Sequence, residues 1–544
     1  MKIKGFLLFL FFCAMIGLTV YIFNDIRVEQ SENNYQVKQS KPLKSDKGYG
    51  VSSSHPLAVK VGMEILENGG NAVDAAVAVS YALGVVEPYS SGIGGGGEMI
   101  IMPGDNQTPI FYEYRETAPF SGKIPQGYVG IPGLVKGMEL INAELGSMNI
   151  KELIQPAVDL AEKGFEADND LSKRLENASY RMPVSSLPHF YPDGVAIKPK
   201  AVIKQHDLAN TLKLIQEHGS DAFYDEEIAE QIVDKVKGLK ATDLKNYSVV
   251  KADPVYGKFK DFEIISAPPP LSGVTLIQSL RMAEILNLQS TKENTADFIH
   301  LVGEISKRAY HDRLSEIADP AFYQSPKDLT SRKYSKKLAE EISIKKLSDD
   351  YKVNDSIADE EDYDNTTHFV IMDKEGTMVS ATHTLGHLFG SGKYAAGFFL
   401  NNQLSNFSQA ANRINSIEPG KRPRSFTSPS ILRNDEMMIG IGTPGGKRIP
   451  QVLTQVLARH LLFGDSIQDA IDAPRFYVED KKIYVEDGFP SKVLDELRDR
   501  GYRVIIRDSP YYYGGVQALI EDKEEKIILG GADQRRTGIW QVRE

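Results

Sequence analysis

Two threonines at neighbouring strand positions are the side chains of this sequence whose spacing best suits nucleophilic chemistry. The segment "DYDNTTHFVIMDKEG", residues 362–376, changes abruptly from an acidic run to a strand-like run that opens near Thr366. The turn "DKEG" at its end predicts a hairpin. Folding the chain there pairs positions whose numbers sum to about 749 or 750, so Thr384 lies opposite Asn365 or Thr366. We therefore expect two threonine hydroxyls side by side at the end of a strand.

A threonine hydroxyl is a weak nucleophile that needs a base, and no Ser-His-Asp spacing supplies one here. Cleavage of the Asn365–Thr366 bond would give Thr366 a free α-amine, whose pKa of about 7.7–8.0 suits a general base near neutral pH. Before the cut that nitrogen is an amide and is not basic, so the cut would be the activating event. Thr366 could make it by attacking the carbonyl of Asn365. The alternative interpretation is that paired threonines merely reflect β-propensity.

A second candidate is the turn in "IGIGTPGGKRIP", residues 439–450. A strand is expected to end at Pro444, and Gly445 and Gly446 then present bare backbone N–H groups. Two such donors can stabilise an oxyanion. The same pattern also fits an ordinary turn from a strand to a helix.

No metal or cofactor site is predicted. The glycine-rich stretch "SSGIGGGGEMIIM" lacks the features of a phosphate loop or a dinucleotide site, so close backbone packing is the preferred interpretation. His383 and His387 would lie about 13 Å apart on a strand, too far to share a metal. The acidic run "DEEDYD", residues 359–364, is typical of a solvated loop.

Composition narrows the remaining classes of protein. Of the 544 residues, 41% are apolar and 25% are charged, as in ordinary globular proteins. The net charge of −11 argues against a general nucleic-acid binder, and an anionic substrate would need a local basic cleft. Cys13 is the one cysteine, which excludes an intrachain disulfide and cysteine catalysis in the main body.

The N-terminus predicts a membrane anchor. Residues 5–23 carry no charge and follow two lysines, and as a helix they would span roughly 28 Å, about one hydrocarbon core. Residues 1–23 are therefore interpreted as an uncleaved anchor, with a cleaved signal peptide as the second choice. Residues 24–46 are polar and predict a stalk.

Six segments together resemble one known family. They are "GGNAVDAAVAVSYALGVVEP", "YEYRETAP", "NTTHFVIMDKEGTMVSATHTL", "GFFLNNQLSNF", "GKRPRSFTSPS" and "GIGTPGGKRIP". In this order they resemble the γ-glutamyltranspeptidase family of N-terminal-nucleophile hydrolases, from about Gly48 to the C-terminus. The resemblance implies an α+β fold, a four-layer αββα sandwich made by two autoprocessed subunits. These would be a large subunit, residues 47–365, and a small catalytic subunit, residues 366–544, held together as a heterodimer.

The resemblance also implies roles for individual residues. Thr366 would be the nucleophile released by cleavage after Asn365, and Thr384 would be its hydrogen-bonding partner. Gly445 and Gly446 would form the oxyanion hole, and Arg115 would hold the α-carboxylate of the substrate. The remaining candidate substrate-binding residues are Gln403, Asn406, Ser425, Arg448, Arg535 and Arg536, with Arg424 as a further arginine.

Departures from the family pattern point to one branch. Asn406 stands where glutathione-acting members carry an aspartate that binds the free α-ammonium of the substrate. Of the serine pair that binds the α-carboxylate in those members, only Ser425 is present. The stretch between Phe407 and Lys421 is short, which leaves little room for a lid. These features suit poly-γ-glutamate, whose internal residues keep an α-carboxylate but have the α-nitrogen in an amide. Retained arginines would bind its carboxylates; the alternative for Arg424, Arg448, Arg535 and Arg536 is surface salt bridges.

The sequence details resemble the poly-γ-glutamate transferases of this family, which act on bacterial capsule. The resemblance implies an enzyme on the outer face of the cell membrane, or a secreted one, that transfers a γ-glutamyl chain to water or a cell-wall amine. Two other hypotheses stay open: an ordinary γ-glutamyltranspeptidase that hydrolyses glutathione, and an unprocessed, inactive wall-binding protein.

Overall fold

The hairpin expected around residues 373–376 lies in the middle of one sheet. The computed structural model describes residues 37–45, 47–104, 107–348, 365–410 and 412–544. Strands Asn365–Met372 and Met378–Gly386 pair antiparallel, with Thr366 opposite Thr384, so the predicted register is confirmed. The register shifts between Asn365 and Thr366, which marks a β-bulge at the open end of the hairpin.

Groups of helices and groups of strands follow one another along the described chain. The strands are β1 Leu43–Lys44, β2 Tyr49–Ser53, β3 Gly96–Met102, β4 Ile110–Glu113, β5 Phe165–Glu166, β6 Val202–Ile203, β7 Val250–Ala252, β8 Val255–Phe259, β9 Phe262–Ser266, β10 Asn365–Met372, β11 Met378–Gly386, β12 Tyr394–Ala395, β13 Phe398–Phe399, β14 Ser430–Arg433, β15 Met437–Gly442, β16 Phe476–Glu479, β17 Lys482–Val485, β18 Arg503–Ile506, β19 Gln517–Asp522, β20 Ile527–Ala532 and β21 Ile539–Arg543. The α-helices are Pro56–Glu67, Ala72–Val86, Leu134–Leu145, Ile150–Lys163, Asn169–Ala178, His206–His218, Asp221–Tyr224, Glu227–Lys235, Ala241–Lys245, Gly273–Ile285, Ala296–Glu316, Arg332–Glu340, Ile449–Ala458, Ile467–Asp472 and Ser491–Asp499.

Two seven-stranded antiparallel sheets pack face to face. The first has the order β21-β2-β10-β11-β3-β4-β7, and the second has the order β1-β20-β19-β15-β14-β9-β8. Val370 of the first sheet and Leu519 of the second lie in one buried apolar cluster between them. Helices cover the outer faces: Ala72–Val86 packs on the first sheet, and Gly273–Ile285 packs on the second. The predicted αββα sandwich is therefore confirmed, and Gln39–Glu544 form one unit.

The helix Ala72–Val86 shows why the sequence folds this way locally. Asn71 and Asp74 form a reciprocal capping box at its start, which satisfies two backbone donors that a helix leaves unpaired. Its side chains are apolar almost all round, and nearly all are buried, since it lies between a sheet and other helices. The preceding helix, Pro56–Glu67, ends just before Gly69 and Gly70, which connect it to Ala72–Val86.

The glycine-rich stretch lets the Thr384 strand approach its neighbours. A Cβ on Gly95 would lie 2.3 Å from the carbonyl oxygen of Thr384, and one on Gly97 would lie 2.4 Å from that of Thr382. Contacts this short with backbone atoms exclude any side chain. The prediction that these glycines serve close backbone packing is confirmed, and they hold β11 against β3.

Strands on the two sides of residue 366 interleave in both sheets. In the first sheet β2 lies between β21 and β10, and in the second sheet β20 lies beside β1. After a cut before Thr366, we expect the two fragments to stay together, because separation would break strand ladders in both sheets. One peak in gel filtration with two bands on a denaturing gel would show this. Separation of the fragments in native buffer would contradict it.

Several predictions fall outside the described residues. These are the anchor at 1–23, the stalk at 24–46 apart from residues 37–45, and the acidic run at 359–364. Within residues 37–45 the stalk prediction is wrong, because Leu43–Lys44 pairs with β20 in the second sheet. Among the helices that the structure describes, none is both long and apolar enough to cross a bilayer.

Candidate active site

Thr366 and Thr384 form a short chain of hydroxyl groups. The Thr366 hydroxyl donates a hydrogen bond to Thr384 Oγ1 at 3.3 Å, and Thr384 Oγ1 donates to the carbonyl oxygen of Asn365 at 3.0 Å. All three residues are buried. The chain therefore ends on the carbonyl group whose carbon is bonded to the Thr366 nitrogen. A donor on that oxygen stabilises the negative charge that develops when the carbon is attacked.

Two further donors hold the Thr384 hydroxyl. The Gly386 N–H donates to Thr384 Oγ1 at 2.9 Å, and Gln403 Nε2 donates to it at 3.4 Å. A hydroxyl has one proton, and an amide N–H can donate but cannot accept. Because neither the Gly386 N–H nor the Gln403 amide nitrogen can accept the Thr384 proton, it is directed to the Asn365 carbonyl.

The Thr384→Val variant keeps the side-chain shape and removes the hydroxyl. We expect cleavage at Asn365–Thr366 and turnover to slow by roughly 10- to 100-fold, since a lost catalytic hydrogen bond costs about 1.5–3 kcal/mol. Both rates are measured on purified protein, and Thr384→Ser, which retains a hydroxyl, is the control. Unchanged rates in Thr384→Val would remove this residue from the site.

A small pocket opens beside Thr366. The residues that line it are Thr366, Thr384, Gly386, Gln403, Asn406, Ser425, Phe426, Thr427, Gly446 and Ile449. The structure thus brings together the predicted residues Thr366, Thr384, Gln403, Asn406, Ser425 and Gly446. Among these described lining residues there is no acid and no base.

The Gly445–Gly446 turn forms one side of this pocket. Strand β15 ends at Gly442, and Gly446 begins a 3₁₀ turn that continues into the helix Ile449–Ala458. Gly445 and Gly446 have φ values of 137° and 56°, a conformation that favours glycine. The start of the helix adds partial positive charge. Gly446 lines the pocket and Gly445 does not, so the oxyanion hole formed by both N–H groups stays a prediction.

Gln403 connects the pocket to Arg115. Its Oε1 accepts from Asn406 Nδ2 at 3.0 Å and from an Arg115 nitrogen at 3.5 Å. Arg115 is fully buried, and its other terminal nitrogen donates to the carbonyl of Pro423 at 2.9 Å. Arg115 therefore lies behind Gln403, and its contact with a substrate carboxylate stays a prediction.

Residues 58–542 match the sequence model of one family, described as gamma-glutamyltranspeptidase. The chain belongs to the γ-glutamyltranspeptidase family. A relative named capsule biosynthesis protein CapD proenzyme, from Bacillus anthracis, is 43% identical over 97% of both chains. A glutathione hydrolase proenzyme from Bacillus subtilis (strain 168) is 33% identical over 90% of both. The crystal structure of a cephalosporin acylase from Bacillus halodurans is similar with a TM-score of 0.83, at 26% identity, over 93% of this chain and 97% of that one.

Arg535 does not reach the pocket of this γ-glutamyltranspeptidase. It pairs with Glu486 at 2.6 Å and with Asp533 at 3.2 Å, and it also donates to backbone carbonyls. Arg424 donates to the carbonyls of Arg313 and Leu314 near the end of the helix Ala296–Glu316. The expectation that these two arginines bind substrate is therefore corrected, because their donors hold the fold together.

Arg448 and Arg536 are buried close to the Gly445–Gly446 turn but do not line the pocket. Arg448 stacks on the ring of Tyr512 at 4.0 Å, and Arg536 donates to the carbonyls of Gly514 and Tyr511 at 3.1 and 2.7 Å. Since both are at most 4% exposed, the alternative of surface salt bridges is wrong for them. Their role toward an extended substrate stays a prediction.

The histidines considered for metal binding have other partners. His383 Nε2 lies 2.7 Å from the Tyr114 hydroxyl, and burial lowers the pKa of His383 to about 3, so the ring is neutral. His387 lies beside Arg181. No cluster of three metal-ligating side chains occurs in the part of the chain that the structure describes.

Buried carboxyl groups surround Arg115. Glu98 and Glu116 are fully buried. Burial raises the pKa of Glu98 to about 8 and that of Glu116 to about 7, although the Arg115 cation acts in the opposite direction on both. Glu98 therefore carries a proton at neutral pH, and its neutral form suits a fully buried site.

Glu98 should make the folded state less stable in alkali. Its native pKa of about 8 exceeds the value of about 4.3 in an unfolded chain, so its contribution is complete below about pH 4 and is lost as the pH rises through 8. We expect the Tm of the wild type to fall more between pH 6 and pH 9 than the Tm of Glu98→Gln, which stays neutral. The exposed Glu375→Gln is the control. Equal falls in all three proteins would contradict this.

Sequence reasoning missed several residues around Thr366. Phe426 and Thr427 line the pocket and lie inside a segment already quoted for the family, so a closer reading of that segment could have found them. Ile449 looks like any first-turn helix residue. Arg174, which contacts Asn365, lies on an ordinary amphipathic helix and gives no signal in the sequence.

Proposed function

We propose that this protein is a self-processing γ-glutamyl transferase that acts on poly-γ-glutamate through Thr366. The choice of substrate rests on the lining of the pocket, because none of the described residues that line it is acidic. A small γ-glutamyl donor has a free α-ammonium, which needs an acidic partner when it is desolvated. The α-nitrogen of an internal residue of the polymer is an amide, and Asn406 and Gln403 can hydrogen-bond to it.

Self-cleavage begins with attack of Thr366 Oγ1 on the carbonyl carbon of Asn365. The hydroxyl proton passes to the departing Thr366 nitrogen, and the C–N bond breaks to leave an ester. Water then cleaves the ester, which gives an α-carboxylate on Asn365 and restores the Thr366 hydroxyl. The α-amine that was freed when the C–N bond broke stays at the new N-terminus. The Thr384 hydroxyl, 3.0 Å from the Asn365 oxygen, stabilises the charge on that oxygen in the first step.

Transfer uses the freed amine as the base. The Thr366 amine accepts the hydroxyl proton while Oγ1 attacks the γ-carbonyl of the donor, and it returns the proton to the leaving nitrogen. The N–H groups of Gly445 and Gly446 stabilise the oxyanion. The acyl chain then passes from Thr366 to water or to an amine.

The proposed place of action is the outer face of a bacterial membrane. An anchor at residues 1–23, followed by a stalk that begins at residue 24 and ends before β1, would hold the enzyme there, or release it if the segment is cleaved. The relative named as a capsule biosynthesis protein supports a surface polymer as the substrate. N-terminal sequencing of the large fragment distinguishes an anchor from a cleaved signal peptide.

A direct comparison of substrates tests the proposal. Purified enzyme is given poly-γ-glutamate and, separately, glutathione, and kcat/KM is measured at low and high salt. We expect at least tenfold preference for the polymer, weakened by salt because the polymer is a polyanion. Preference for glutathione would identify an ordinary γ-glutamyltranspeptidase. A single uncut chain with neither activity would identify the inactive wall-binding alternative.

A further inference from the structure

Arg174 makes a direct contact with the residue before the cleavage site. One terminal nitrogen of Arg174 donates to the side-chain oxygen of Asn365 at 2.8 Å, although the two residues are 191 positions apart. Arg174 lies on the helix Asn169–Ala178, and its Nε donates to Asp170, also on this helix, at 2.9 Å. This contact exists only when the helix and β10 are assembled together.

The guanidinium of Arg174 is fixed on several sides. It lies over the rings of Tyr89 at 4.5 Å and Tyr511 at 4.6 Å, and the side chains of Arg174 and Asp170 are at most 7% exposed. A planar cation that packs against two rings and pairs with a carboxylate has little rotational freedom, even without the hydrogen bond to Asn365. Its hydrogen bond to Asn365 is therefore a rigid constraint.

Asn365 lies where the strand ladder is least regular. The β-bulge between Asn365 and Thr366 shifts the register there. Two side chains hold the polar groups of Asn365: Thr384 donates to its main-chain oxygen, and Arg174 donates to its side-chain oxygen. Together they limit rotation of the carbonyl group that Thr366 must attack.

We propose that Arg174 is a positioning residue for self-cleavage, which holds the Asn365 side chain so that the Asn365 carbonyl carbon faces the Thr366 hydroxyl. This inference rests on the proposed self-processing function. Arg174 Nη2 is buried and has no hydrogen-bond partner among the described residues, so a cationic donor is already in place for the carboxylate that the cut creates.

The test measures cleavage of newly made full-length chain over time on denaturing gels. We expect Asn365→Ala and Arg174→Lys each to slow cleavage by roughly tenfold or more, because alanine removes the acceptor and a lysine lacks the guanidinium fork that bonds Asp170 and Asn365 together. The double variant should be no slower than the slower single variant. Asn365→Asp keeps an acceptor and should cleave at close to the wild-type rate. Arg475→Lys, at another buried arginine paired with an aspartate at 2.7 Å, is the matched control and should also cleave normally.

A second readout separates positioning from a general structural role. The fraction of Arg174→Lys that does cleave should show wild-type kcat and KM on a γ-glutamyl anilide, because Asn365 takes no part in turnover. Wild-type cleavage rates in both single variants, additive effects in the double variant, or a matching loss of kcat would each overturn the inference. Failure of the wild-type chain to cut before Thr366 would instead overturn the proposed function.

Discussion

Replacing Thr366 by alanine should leave one uncut chain without γ-glutamyl transfer activity. Thr366 supplies the attacking hydroxyl for the cut, and after the cut it supplies both the nucleophile and the amine base, so one substitution removes every chemical step. We expect activity to fall by at least about a thousandfold. Denaturing gels and an assay with a γ-glutamyl anilide measure the two effects.

Thr377→Ala is the matched control for Thr366→Ala. Thr377 lies in the turn of the same hairpin, and its backbone N–H, not its hydroxyl, bonds to Asp373. This variant should cut and turn over normally. N-terminal sequencing of the small wild-type fragment should read Thr-Thr-His. Any other start, or normal cutting in Thr366→Ala, would contradict the assignment of the nucleophile.

The Asn406→Asp variant should change which substrate the enzyme prefers. Asn406 lines the pocket, and its Nδ2 donates to Gln403 Oε1 at 3.0 Å. A carboxylate at this position would repel Gln403 Oε1, because no proton would lie between the two oxygens. The α-ammonium of a small γ-glutamyl donor would relieve this repulsion. We expect the ratio of kcat/KM for glutathione to kcat/KM for the polymer to rise by about 10- to 100-fold, the effect of one charge-assisted hydrogen bond.

The control for this change adds the same charge outside the pocket. Asn402 Oδ1 accepts from the His387 N–H, an acceptor role that an aspartate can keep, and Asn402 does not line the pocket. Asn402→Asp should leave the substrate ratio close to that of the wild type. An unchanged ratio in Asn406→Asp, with glutathione preferred by the wild type, would show that the assignment to the polymer-cleaving branch is wrong.

Local patterns in the sequence were sufficient to predict the hairpin and its register, whereas the choice of Thr366 as the nucleophile required the family resemblance. The turn residues and the alternation of strand residues fix the pairing of Thr366 with Thr384, because both depend on neighbours within a few positions. The sandwich required the family resemblance, since strands such as β2 and β21 pair across almost the whole chain. No local pattern determines a pairing of that kind.

The arginines show where sequence reasoning fails. A conspicuous arginine in a motif predicts a carboxylate ligand, yet Arg535 and Arg424 use their donors on Glu486 and on backbone carbonyls. Arg174 is the opposite case, because no motif around it predicts a role at the site, yet the fold places it against Asn365. In all three cases the partners, whether side chains or main-chain carbonyls, are distant in the sequence.

The contacts at Asn365 make the proposed cut before Thr366 dependent on correct folding. The geometry that the cut requires includes the helix Asn169–Ala178 and the strands β10 and β11. The contacting residues Arg174 and Asn365 are 191 positions apart in the sequence. Under the proposed mechanism, an incomplete or misfolded chain lacks that geometry, is not cut and has no free Thr366 amine. Activity would then be absent until the sandwich is complete, and the small fragment would identify molecules that have folded correctly.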